Sequence, residues 1–214
     1  LCERLVENQH KVIIVARDET RLKNLNDDSV VKIIGDANNE DVIKEAVVLA
    51  TESGEGKIDG VAHLVGSLAL RPPHAMKLEA FEEVIKINLT SAFVTLSIAC
   101  KQMLRNGGGR VVFTSSVAGS LGLVNHEAIS AAKGGVESMV RSAAATYSRR
   151  GIRVNAVAPG LTDTRLSYPI TKSENSKKAG ILLTGKKPDD YSKEDHKNEE
   201  ELGLFYYDPS TVEI

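Results

Sequence analysis

Hydrophobic positions along this chain alternate between two rhythms. Short apolar runs rich in β-branched residues recur in "KVIIVAR" (residues 11–17), "VVKIIGDA" (30–37), "KIDGVAHLVG" (57–66), "GRVVFTSS" (109–116) and "GIRVNAVAPG" (151–160). They are too evenly apolar to alternate in and out of water, so they suit strands buried on both faces. Between them lie stretches with helical spacing, at residues 41–53, 80–106 and 127–150, and Leu1, Leu5 and Val6 place one apolar helical face at the start. Strands and helices taken in turn predict an α/β fold, a doubly wound parallel sheet with helices on both faces. In that architecture the ligand crevice lies at the carboxyl ends of the strands, so the residues just after each run are the candidates for chemistry.

The rhythm stops after Thr164. Residues 185–201, "GKKPDDYSKEDHKNEEE", are nearly all polar or charged, and "LGLFYYDPSTVEI" closes the chain with an aromatic cluster. The expected organisation is one domain over residues 1–184 and a polar, flexible tail over 185–214. With 42% hydrophobic and 26% charged residues, a formal net charge of −2 and a pI near 6.3, the chain offers no electrostatic reason to bind nucleic acid or an anionic membrane. A small-molecule substrate is the expected partner. Cys2 and Cys100 have neither a metal-ligand nor a disulfide spacing, so no metal is expected and a reducing, cytoplasmic setting is. No apolar run in the sequence approaches membrane-spanning length. The first residue is Leu1 and no leader-like stretch precedes the first helical pattern, from which the chain is expected to begin inside a longer one.

The strand ends hold several chemically expressive residues. After the first run come Ala16 and Arg17, where a guanidinium suits a 2′-phosphate better than free ribose hydroxyls; the plain alternative is a solvated charge. Asp36 could accept from an adenine amino group or serve as the N-cap of the helix that follows. Gly66 stands where a backbone needs to approach a ligand closely, and His63 beside it reads as a histidine satisfied within the core. Asn88 lies inside an apolar helical pattern, so it either supports a helix kink through hydrogen bonds or is surface. Ser115 and Ser116 end a central strand, and Pro159 and Gly160 form a turn whose backbone amides could hold a planar carboxamide.

Taken together, "KINLTSAF", "VVFTSSVAGSLGL", "ISAAKGGV" and "RGIRVNAVAPGLTDT" resemble the short-chain dehydrogenase/reductase superfamily in order and spacing, over residues 1 to about 164. That resemblance implies a Rossmann-like sheet and an oxidoreductase that moves a hydride between a nicotinamide and a small carbonyl, alcohol or enoyl substrate. It makes Asn88, Ser116 and Lys133 three members of a catalytic tetrad, points through Arg17 to NADP with NAD as the alternative, and assigns Pro159, Gly160 and Thr164 to the nicotinamide. It also implies pairing of subunits through the helices near residues 79–105 and 127–148. The family's glycine-rich turn and first strand would precede Leu1, so the sheet is expected to be incomplete, with its first strand missing.

The sharpest departure is Ile129, four residues before Lys133, where the family carries a tyrosine whose phenol exchanges a proton with the substrate. His126 lies seven residues before Lys133, within about 20° of the same helical face. Enoyl-acyl-carrier-protein reductases, a branch of the superfamily, place their tyrosine at that spacing, which makes His126 a candidate acid; the alternative is a histidine that caps the helix or packs in the loop. A catalytically inactive member that keeps the nucleotide pocket, or a chain unable to complete its sheet, are the competing readings.

Overall fold

The computed structural model describes residues 1–162 and 164–168. A short helix α1 (Cys2–Glu7) leads into β1 (Val12–Ala16), which pairs in parallel with β2 (Val30–Ile34). Helix α2 (Glu40–Ser53) follows, then β3 (Gly60–His63), α3 (Leu78–Ile85), a π-turn (Lys86–Thr90), α4 (Ser91–Met103), β4 (Gly109–Thr114), α5 (Glu127–Tyr147) and β5 (Ile152–Val157). Every strand pair is parallel, as the alternation predicts. The strands form two sheets, however, ordered β1-β2 and β3-β4-β5. Among the described residues no strand joins β1 to β3, and the division falls where the resemblance puts a central strand. Helix α2 packs against both β1 and α4 and so bridges the two sheets.

The core is built on one face of the larger sheet. Val111, Phe113, Ile152, Val154 and Ala156 turn alternately toward Leu96, Cys100 and Met103 of α4 and Val136, Val140 and Ala143 of α5. Full burial of each large side chain there contributes about 1.5–3 kcal/mol. The opposite face exposes Arg110 and Arg153, which stand directly across from one another on adjacent strands. The expectation of strands buried on both faces is therefore corrected: no residue of β1 is fully buried, and Val31 and Ile34 of β2 are exposed. A sheet interrupted beside β1 and β3, with α4 and α5 on one face, covers only part of those apolar runs.

The two expected long helices appear as Leu78–Met103 and Glu127–Tyr147. The first spans 26 residues with a window hydropathy of 1.4, enough by length and composition alone to cross a membrane, which corrects the impression given by the sequence. It buries Asn88, Ser91 and Thr95 inside the protein and packs against α2 and α5, the behaviour of a core helix. The region assigned to the polar tail, residues 185–214, lies outside the described residues.

Candidate functional site

The long helix changes pitch at the carboxyl end of β3. Across Lys86–Thr90 the backbone widens to a π-turn, with Ser91 N–H donating to the Lys86 carbonyl five residues back. A π-turn leaves carbonyls without their usual partner, and side chains fill the deficit. Asn88 Nδ2 donates to the Val84 carbonyl at 2.9 Å, and Ser91 Oγ donates to the Ile87 carbonyl at 2.6 Å. Asn88, fully buried, also clamps the loop after β3: its Oδ1 accepts from Ser67 N–H at 3.1 Å and its Nδ2 donates to Ser67 Oγ at 2.9 Å. Of the two readings open for Asn88, the supported kink is the observed one.

His63 ends β3 and is 4% exposed, with Nε2 3.0 Å from Ser91 Oγ. Since that hydroxyl donates its proton to Ile87, Nε2 is the donor to it, which in the neutral ring is the Nε2–H tautomer. Burial, and then the charge of Lys133, lower the imidazole to about 4. His63 is thus a satisfied core histidine that braces the π-turn.

Lys133 lies on α5 facing the end of β4, 6% exposed, and Nζ donates to the Thr114 carbonyl at 2.6 Å. An ammonium has three donors, and among the described residues the other two find no protein acceptor. Burial lowers this amine to about 8. Gly66 completes the corner: a Cβ built on it would sit 3.2 Å from Asn88 Oδ1 and 3.6 Å from Lys133 Nζ. The three residues proposed from the sequence after β3, on the π-turn and on α5 therefore converge.

The β4 end is latched to α5 by contacts that sequence reasoning missed. Ser115 Oγ lies 2.7 Å from Glu137 Oε1 and 3.2 Å from the Lys133 carbonyl. Gly119 lies so close to α5 that a Cβ would stand 2.6 Å from Glu137 Oε1 and 3.1 Å from the Gly134 amide. The pair of helical glycines after Lys133 was the available signal. Ser116 caps the turn Val117–Gly119 through Ala118 N–H at 3.2 Å, and Val117 N–H donates to the Pro159 carbonyl at 3.1 Å. Pro159 and Gly160 thus border Ser116. Thr164 is turned to its own loop, exchanging hydrogen bonds with Ser167, whose amide reaches Thr164 Oγ1 at 3.2 Å.

Ile129 is 3% exposed and packs with Val84, Ala118, Ala128 and Ala132, flanked by Met76, Phe81 and Leu123. The aliphatic chain is integrated into a small apolar core. His126 occupies the N-cap position of α5 without a side-chain cap, and its Nδ1 lies 2.8 Å from the Val124 carbonyl. No hydrogen bond links it to Lys133 or Ser116 among the described residues. At about 1.5 Å rise per residue it stands roughly 10 Å along the helix from Lys133.

At the far end, Arg17 is exposed at the tip of β1, and Asp36 follows β2. Asp36 does not cap α2; Asn39 does, accepting from Asp41 N–H at 2.9 Å. Asp36 instead closes a tight turn with Asn38, and the Asn38 amide, foremost, with the charges of Arg17 and Lys86 holds its carboxyl below the usual range against an opposing desolvation. Asn38 Oδ1 is buried without a partner. The unfilled donors of Lys133, the bare backbone of Gly66 and the orphaned Asn38 oxygen fit a bound dinucleotide, with a ribose at one end and an adenosine at the other. No cluster of His, Cys, Asp or Glu suited to a metal occurs among the described residues.

Parallel strands with helices between them, and polar side chains gathered where β3 and β4 end, define a Rossmann-type α/β domain. The chain belongs to the short-chain dehydrogenase/reductase family: the short chain dehydrogenase profile matches residues 1–175. Levodione reductase of Leifsonia aquatica is 36% identical over 157 residues, covering 72% of this chain and 58% of that protein. The crystal structure of levodione reductase superposes with a TM-score of 0.73 at 30% identity, over 86% of this chain and 75% of the other. The 3-oxoacyl-[acyl-carrier-protein] reductase MabA of Mycobacterium tuberculosis is 34% identical over 167 residues, 78% of this chain and 65% of MabA. ElxO with NADP bound shares the fold, with a TM-score of 0.74 at 24% identity over 85% of this chain and 76% of ElxO. The chain thus spans about three-fifths of the length of the curated relatives it matches.

Proposed function

We propose that the protein is an NADP-dependent oxidoreductase of the short-chain type, acting on a small carbonyl, alcohol or enoyl compound. The observation that carries this reading is Lys133, a buried ammonium with two donors unfilled among the described residues, beside Gly66 and the Asn88 clamp. Those donors suit the vicinal hydroxyls of a nicotinamide ribose. Arg17 and Asp36 would hold the adenosine end, with the guanidinium favouring a 2′-phosphate, in keeping with the NADP bound in ElxO. A nicotinamide, when bound, supplies the hydride.

The chain's own residues orient and neutralise. Ser116 Oγ would hydrogen-bond a substrate oxygen: it accepts from Ala118 N–H, and its own proton has no acceptor among the described residues. Lys133 keeps the carboxyl end of β4 positively charged. The proton is assigned to the imidazole of His126, at the N-cap position of α5. A second reading, a binding member without turnover, is favoured by one specific observation: the Ile129 side chain fills the phenol's place with a packed aliphatic group.

NADPH oxidation over a panel of aldehydes, ketones and enones distinguishes them. Turnover is expected in the wild type, at least tenfold lower in His126→Phe, and raised in Ile129→Tyr, because a positioned acid contributes about 10²–10⁴-fold. Undiminished turnover in His126→Phe removes the imidazole from the mechanism. NADPH binding with no turnover anywhere on the panel selects the second reading.

A further inference from the structure

All-parallel sheets in α/β proteins are covered on both faces, since both carry apolar side chains. Among the described residues the larger sheet has a helical cover on one face alone, where α4 and α5 pack. Register and alternation fix what the other face presents. Gly60, Arg110 and Arg153 stand in one row across β3, β4 and β5. Ala62, Val112 and Asn155 form the next row, about 6.6 Å further along. Arg110, Arg153 and Ala62 are exposed, and Val112 is half-buried. Like charges directly opposite on neighbouring strands repel, and neither guanidinium has an ion pair or a side-chain hydrogen bond among the described residues. The face therefore sets two uncompensated cations at the border of an apolar strip.

We infer that this face is the docking surface for the chain's own acidic and aromatic segment, residues 199–207, "EEELGLFYY". The segment lies outside the described residues, and its chemistry is read from the sequence. Its three consecutive carboxylates, Glu199, Glu200 and Glu201, complement the Arg110 and Arg153 pair, and Leu202 and Leu204 follow at once. In an extended segment Glu200, Leu202 and Leu204 share one side, at the same two-residue spacing as the rows of the sheet. A carboxylate above the arginine row then sets a leucine above Ala62 and Val112. Reach is no obstacle: the residues between Tyr168 and Glu200 can span on the order of 100 Å, against about 20 Å for the six residues of β4. A single exposed ion pair contributes little, but here a tether keeps the segment at high local concentration, two cations share three anions, and the apolar strip is covered in the same event. The inference is independent of any nucleotide or substrate.

The test is timed chymotrypsin cleavage of the full chain, read by mass spectrometry, with each rate taken relative to that of a synthetic peptide of the same tail sequence. The bonds after Phe205, Tyr206 and Tyr207 should be protected at least fivefold more than the bond after Tyr191, which lies in the same tail. The charge reversal Arg110→Glu with Arg153→Glu should abolish that protection. Adding Glu199→Arg, Glu200→Arg and Glu201→Arg to the reversed protein should restore it. Melting curves confirm that each variant is folded. Equal protection at Tyr191 and at the aromatic cluster in the wild type, unchanged protection in the folded reversal, or no recovery in the swapped protein overturns the assignment. Protection that grows with protein concentration overturns it as well, because the segment would then be held by a second copy.

Discussion

Single side chains at this site are set by what they lack. Among the described residues Lys133 has no counter-ion, Ile129 has no proton to give, and His63 is held neutral by burial and then by the charge of Lys133. His63 carries a pH consequence. Between about pH 6.5 and 4 the unfolded chain binds a proton on this imidazole that the folded chain refuses, so the unfolded state holds more protons and stability rises with pH. The contribution is complete above about 6.5 and is lost on acidification toward 4, on the order of 2–3 kcal/mol. Urea unfolding at pH 7 and pH 4.5 should show that loss in the wild type and a smaller one in His63→Gln. An equal loss in both would mean that His63 does not titrate between them. The sequence reveals that His63 is a satisfied histidine, because a polar residue in an apolar run needs a partner. It does not reveal Ser91 as that partner, since the pairing depends on a helix crossing the strand end 28 residues later.

At the scale of elements, the π-turn is the decisive feature. Helical periodicity from residue 80 to 106 is plain, and the observed helix runs from Leu78 to Met103. A single change of hydrogen-bond register within it leaves no trace in an apolar pattern, so the π-turn is invisible until Asn88 and Ser91 are seen completing its carbonyls. Asn88→Ala should destabilise the fold by about 1–3 kcal/mol per buried group left unpaired, with Ser67 N–H and the Val84 carbonyl both losing a partner. Denaturant titration checks this, and a loss below ~0.5 kcal/mol would mean that water replaces the amide. The N-cap reading left open for Asp36 is not the observed one, for a related reason: Asp36 and Asn39 both suit an N-cap, and the tight turn with Asn38 decides between them by taking Asp36. The Ser115–Glu137 latch went unread because it joins a strand end to a helix 22 residues away.

Across the whole molecule, the parallel α/β plan was legible because it depends only on the order of apolar runs. The division of the sheet followed from the family resemblance rather than from any residue in view. Among the described residues it leaves β1 with one unpaired edge. Val12 N–H donates to the Ser29 carbonyl on the β2 side, and peptide directions alternate along a strand, so Ile13 and Val15 point their amides toward the open edge. Hydrogen exchange should find Ile13 and Val15 at least tenfold faster than Ile14, while Val111 and Phe113 of β4, flanked on both sides, exchange slowest of all. Uniform protection along β1 would show that its edge is covered in solution.

These scales meet in the proposal that the polar residues around Lys133 hold the nicotinamide ribose of NADP. Titration of NADPH followed by its own fluorescence tests it most directly. The wild type should show a saturable change, and Lys133→Met should bind at least tenfold more weakly with the melting temperature preserved. Saturation at the same concentration in a folded Lys133→Met variant, or no saturation in the wild type, would contradict it.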